Sequence, residues 1–243
     1  MTRAAHGFMK AMQRPTLYQA RLHRTIPDTM QLTTETVLTF WFEEATPKQW
    51  WAQSDEFDRH IESRFGALLN AAERCELFGW RGTADGRLAE IIVLDQFSRN
   101  IHRGTARAFA NDPLALALAQ AAVSLNADRP LHTARRAFLY MPYMHSESPL
   151  IHAAGLALFS QPGMEGNLDF ERRHKEIIDR FGRYPHRNAV LGRASTPAEL
   201  EFLKTPGSSF LDTPLVLARR RNRAPQGMDS CRFFNCSCIP DRT

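Results

Sequence analysis

Between residues 33 and 205 the apolar positions recur at three- and four-residue spacings, and no stretch alternates apolar with polar as a half-buried strand does. The spacing predicts helices over roughly 33–43, 55–77, 85–99, 134–144 and 168–181. Helix punctuation adds three more. "NDPLALALAQAAVSLNA" offers Asp112 as N-cap and Pro113 in the first helical position, and "SPLIHAAGLALF" repeats the device with Ser148 and Pro149. "TPAELEFL" places Glu199 three residues after Thr196, which is a capping box. About eight helices on short loops predict an all-α single domain. No helical repeat of fixed length is legible. The aromatics "FWF" at 40–42 and "WW" at 50–51 are expected to clasp the first two helices together.

Composition bounds the class. A chain of 243 residues, 43% hydrophobic and 23% charged, is long enough to bury a substantial core, and no apolar run approaches the roughly 20 residues of a membrane-spanning helix. The four cysteines form no disulfide framework, which points to a reducing compartment and hence to the cytoplasm. Three of them, Cys231, Cys236 and Cys238, sit near the C-terminus without the paired C-x-x-C spacing of a zinc knuckle.

A pI near 9.3 raises the question of nucleic acid. The positive charge lies at the ends. Residues 1–29 carry Arg3, Lys10, Arg14, Arg21 and Arg24 against Asp28, and residues 206–243 carry six arginines against three aspartates. That excess is larger than the whole chain's +5, so residues 30–205 are slightly acidic. Neither end interleaves aromatics with a regular basic stripe, which argues against a nucleic-acid surface. Residues 206–243 show little periodicity and are expected to be disordered; residues 1–29 are expected to be disordered or a start-site extension ahead of "MQLTTETVLTFWF", leaving 30–205 as the folded domain.

Three polar knots carry the candidate chemistry. In "LAEIIVLDQFSRNIHRG", Asp95 falls on the apolar stripe defined by Leu88, Ile91 and Ile92, and a carboxylate there needs a partner. Arg99, one turn on, is the nearest, with Gln96, Asn100, His102 and Arg103 completing a polar wall. "FSRNIHR" (97–103) and "FGRYPHR" (181–187) share Phe, Arg, His and Arg at the same offsets, each at the end of a helix with Asn100 or Gly182 available for a left-handed cap. The helix dipole favours cations at that end and disfavours a phosphate site made of backbone N–H groups. An anion there is held by Arg99, Arg103, Arg183 and Arg187, with Asn188 beside them, and its absence leaves Asp95 and Glu147 as counter-charges. In "YMPYMHSES", His145 and Glu147 are candidates for base and acid, with His186 as a further acid–base. Their spacing matches no tight zinc motif such as H-E-x-x-H and no G-x-S-x-G elbow, so no metal, no triad and no cofactor is assigned. His174 reads as a satisfied histidine on the 168–181 helix.

The segments "VLTFWFEE", "LDQFSRNIHRGTARAFANDPLAL", "YMPYMHSE" and "HKEIIDRFGRYPHRNAVLGRASTPAELEFL" resemble, in this order, the bacterial family catalogued as domain of unknown function 924, over about residues 33–205. The resemblance implies an all-helical fold akin to tetratricopeptide-like superhelices, a right-handed array of helical hairpins. It implies no activity. After "HSE" such proteins tend to continue with an acidic residue and a glutamine-bearing helix, where this chain has "SPLIHAAGLALF".

Two readings follow. In one, the knots converge on a pocket that binds a small anionic molecule and hydrolyses it or transfers a group. In the other, a tetratricopeptide-like scaffold docks a peptide or protein without catalysis, and the knots only fix its internal geometry.

Overall fold

Thr33 starts the first helix with a reciprocal pair of bonds. Its hydroxyl accepts the Thr36 N–H, and the Thr36 hydroxyl accepts the Thr33 N–H. In this computed structural model, which describes residues 32–208, that helix (α1, Thr34–Thr39) runs on into a π turn at Phe40–Glu44. The expectations for residues 1–29 and for Cys231, Cys236 and Cys238 lie outside the described residues. A short helix absent from the expected set, α2 (Pro47–Trp51), follows with Pro47 in its first turn and a Thr46–Gln49 capping box. It supplies the aromatic clasp. Trp50 stacks on Trp41 with ring centroids 6.2 Å apart and donates its indole N–H to the Trp41 carbonyl at 2.8 Å. Phe138 packs edge-on against both rings and against Phe42.

The rest of the chain is helical as well. Helix α3 (Asp55–Glu73) is capped by Ser54 and carries Asp55, Glu56 and Asp58 in its first turn, where the dipole favours them. It stops four residues short of the expected 77, with Cys75 at a positive φ of 58°. Helix α4 (Ala84–Ile92) passes through a second π turn (Val93–Phe97) into α5 (Ser98–Ile101). Next come α6 (Asp112–Ser124), α7 (Thr133–Met144), α8 (Pro149–Phe159), α9 (Glu165–Phe181) and α10 (Pro197–Phe202). Among the described residues every regular element is a helix or helical turn, so the fold is all-α. No helix among them is long and apolar enough to cross a membrane.

One expectation about the core needs correction. The 85–99 helix is expected to be amphipathic, yet residues 88–98 are all buried, because α4 is enclosed by α1, α6 and α7 while the π turn and α5 lie against α3. Further along, α6 packs on α7, α7 on α8 and α8 on α9, so neighbours in sequence are neighbours in space. Ile177, Ile178 and Tyr184 form a separate small core with Phe181 and Phe202, which seats the end of α9 and α10. Gly182 ends α9 at a φ of 70°, as expected of a left-handed cap. At the other polar knot Asn100 stays helical, and Gly104, with a φ of 75°, takes the left-handed conformation instead.

Candidate functional site

The second π turn sets the position of Asp95. The widened turn, closed by the Ser98 N–H on the Val93 carbonyl, aims Asp95 and Gln96 inward together. Asp95 is sealed from solvent and bonded on all sides. Arg99 Nη1 donates to Oδ1 at 2.8 Å, Gln96 Nε2 to Oδ2 at 2.5 Å, and His145 Nδ1 approaches Oδ1 at 2.7 Å. Burial pushes this carboxyl's pKa up, but Arg99 and His145 together outweigh it and hold the group ionised. The expected Asp95–Arg99 pair is therefore present, with two further partners.

Arg99 also reaches Asp112, at 3.0 Å from Nη2 to Oδ2, and Arg187 Nη1 lies 3.2 Å from the same oxygen. This corrects the expected role of Asp112. Asn111 occupies the N-cap position, Asp112 is the first residue of α6, and its carboxylate bridges two arginines instead of capping a helix. Arg187 is 6% exposed. Its guanidinium lies between the rings of Phe109 and Tyr184, 4.5 Å from each centroid. Burial pushes its pKa down, Asp112 only partly offsets that, and Arg99 adds to the push. Its buried Nε has no partner among the described residues.

His145 sits at the C-terminal end of α7. Ionised Asp95 can only accept, so Nδ1 carries the hydrogen and Nε2 the lone pair. Nε2 has no partner among the described residues. Burial and Arg99 push the imidazole pKa down, so the ring is neutral near neutral pH.

Glu147 does a different job. Both its oxygens bind Arg193, at 2.6 and 2.9 Å, and Oε1 accepts the Tyr184 N–H at 2.9 Å. Burial raises its pKa, but these partners outweigh that and keep it below the ordinary range, which suits an anchor better than an acid. Behind it, Tyr184 donates its hydroxyl to the Met144 carbonyl at 2.6 Å and touches His152 Nε2 at 3.2 Å. His152 meets Glu171 at 2.7 Å, with both side chains fully buried.

The structure thus brings together Asp95, Gln96, Arg99, His145 and Arg187, with Glu147 and His186 on the flank. His186 rings against Tyr184 at 5.4 Å, bonds the Ser208 backbone, and is brought down to a pKa of about 4 by burial and by Arg187. The other candidates go elsewhere. Arg103 and Asn100 both bind Asp58 and border a separate hollow of about 370 Å³ that Asp55 and Glu62 also line. Arg183 binds Glu199 and the Ala194 carbonyl, fastening α9 to α10, and Asn188 is buried between Ser195 and Arg193. The matched offsets in 97–103 and 181–187 therefore do not correspond, since the arginines in the cluster are the first of one set and the second of the other. His174 donates Nδ1–H to the Phe170 carbonyl, as expected of a satisfied histidine. Among the described residues no three His, Cys, Asp or Glu side chains are grouped to hold a metal ion.

A family model described as "Bacterial protein of unknown function (DUF924)" matches residues 37–207. The chain belongs to this family. A solved structure, that of the protein of unknown function ATU0120 from Agrobacterium tumefaciens, is 37% identical, with a TM-score of 0.67 over 70% of this chain and 96% of that one. No curated protein matches the chain. The DUF924 match takes in every residue of the cluster, from Asp95 to Arg193.

Proposed function

We propose that the Asp95–Arg99–Asp112–His145–Arg187 cluster binds a small anionic molecule and, with His145 as acid–base, hydrolyses it or transfers a group. The observation that carries this is Arg187. Its two faces are covered by aromatic rings and Nη1 faces Asp112, yet its buried Nε lacks an acceptor among the described residues. An anion's oxygen supplies that acceptor. His145 is oriented by Asp95 as a catalytic imidazole is oriented by a carboxylate, with its basic nitrogen open. A place in the reducing cytoplasm is part of the same proposal and rests on cysteine usage.

The test is a thermal-shift titration of the full chain with acetate and with inorganic phosphate. A saturable rise in melting temperature is expected for the parent chain and for Arg183→Ala, whose arginine is committed to Glu199. Arg187→Gln is expected to lose the rise. An unchanged rise in Arg187→Gln rules the site out.

The scaffold reading is favoured by one observation: Arg103 and Arg183 are paired inside the fold, to Asp58 and Glu199, as struts are. It predicts saturable peptide binding that Arg187→Gln leaves intact.

A further inference from the structure

Each ionised group at the proposed anion site already faces an opposite one. Asp95 pairs with Arg99, Asp112 lies between Arg99 and Arg187, and Glu147 holds Arg193. Carboxylates and guanidiniums balance one for one, so with neutral histidines the site has no net charge. His145 Nε2 is a lone pair pointed at the open side. An anion's oxygen brought against it meets lone pair with lone pair, a repulsive contact. With a proton on Nε2 the same contact becomes a charge-assisted hydrogen bond.

We propose that the site takes a singly charged carboxylate together with one proton, which His145 receives on Nε2. The inference rests on the anion-binding reading above and specifies the ligand's charge class. One negative charge plus one proton restores the balance of the site. A phosphate dianion with the same proton leaves an uncompensated charge beside Asp95 and Arg187, both nearly sealed from water, where unpaired charge is costly.

The groups facing His145 support the single-proton count. From the π turn and α5 come Asp95 and Arg99, and from the start of α6 comes Asp112. Arg187 joins these groups through Asp112, which it shares with Arg99, and His186 next to it is held neutral by burial and Arg187. From α9 comes His174, which burial pushes well below its ordinary range. His152 of α8 is occupied by Glu171 and by the Ser146 carbonyl. On its own loop, Glu147 is committed to Arg193. His145 is the histidine whose open nitrogen faces the cluster.

The experiment is calorimetric titration of the full chain with acetate and with inorganic phosphate at about pH 7.5, in two buffers of different ionisation enthalpy. Acetate is expected to bind with uptake of about half to one proton per site, and its affinity to fall several-fold, up to about tenfold, per pH unit above that. Phosphate, largely dianionic there, is expected to bind about tenfold more weakly or worse. In His145→Gln the uptake is expected to vanish whatever binding remains. Acetate binding without proton uptake, uptake that persists in His145→Gln, or phosphate binding tighter than acetate each overturns the proposal while leaving an anion site standing. If neither anion binds, the anion site falls and this proposal with it.

Discussion

Asp112 Oδ2 lies 3.0 Å from Arg99 Nη2 and 3.2 Å from Arg187 Nη1, so one carboxylate offsets the repulsion between two guanidiniums and ties three segments together. Removing one partner of a buried pair leaves an uncompensated charge and costs more than the pair itself contributes. Asp112→Asn keeps the shape and one acceptor but not the charge. It is expected to destabilise the fold by about 3 kcal/mol, lowering the melting temperature by about 6–12 °C for a domain of this size. A change within about a degree would mean that Arg187 finds its counter-charge elsewhere. Little of this was legible in the sequence. "NDP" is a common helix start, and the start was read correctly to within a residue, but nothing local says that the carboxylate faces an arginine 75 residues on. The Asp95–Arg99 pair was legible because it spans one helical turn.

At the scale of elements, α8 and α9 meet at Gly155. A Cβ built there stands 2.8 Å from Glu171 Oε1 and 3.4 Å from the Tyr143 Cβ, so a larger residue would push the buried Glu171 carboxylate away from its seat beside His152. Gly155→Ala is expected to destabilise by about 1–3 kcal/mol through overpacking. Gly66 is the control. It sits in α3 with its nearest neighbour 3.9 Å from a built Cβ, and Gly66→Ala is expected to stabilise by about 0.5–1 kcal/mol by removing backbone freedom from the unfolded chain. Denaturant midpoints measure both, and a shared sign would contradict the steric argument. The helices themselves were legible wherever caps marked them, as at Thr196–Glu199. The burial of 88–98 on all sides was not, because an amphipathic stripe read from one helix says nothing about how many neighbours surround it.

Across the whole molecule, His145, His174 and His186 are pushed down by burial, so the fold holds them neutral while the unfolded chain protonates near its ordinary value of about 6.5. The unfolded state then binds more protons, and stability is lost as pH falls from about 6.5 towards about 4. Below that, Asp95, Glu147 and Glu199, all held under the ordinary carboxylate range by their arginines, lose their pairing energy as they protonate. Glu171, raised by burial, acts in the opposite sense. The melting temperature is therefore expected to decline steadily between pH 6.5 and pH 4, and a flat profile would show that these histidines titrate normally in the fold. Fold class was readable at this scale because it is a sum of local signals. The meeting of Asp95 with His145 and of Glu147 with Arg193, 50 and 46 residues apart, depends on packing that no local signal records.

The π turn at Val93–Phe97 has a consequence for chain length. Successive residues of an α-helix advance by about 100° around its axis. Deleting one residue there, Leu94 for example, would convert the segment into a smoother helix with better hydrogen-bond geometry. The flanking helices would stay nearly in phase, because a π turn holds about one residue more than an α turn, but Asp95 and Gln96 would shift by one position within the turn. The shortened chain is expected to gain regularity locally and yet lose the grip of Asp95 on the imidazole opposite, so the turn that looks least ideal is the one that the Asp95–His145 contact requires.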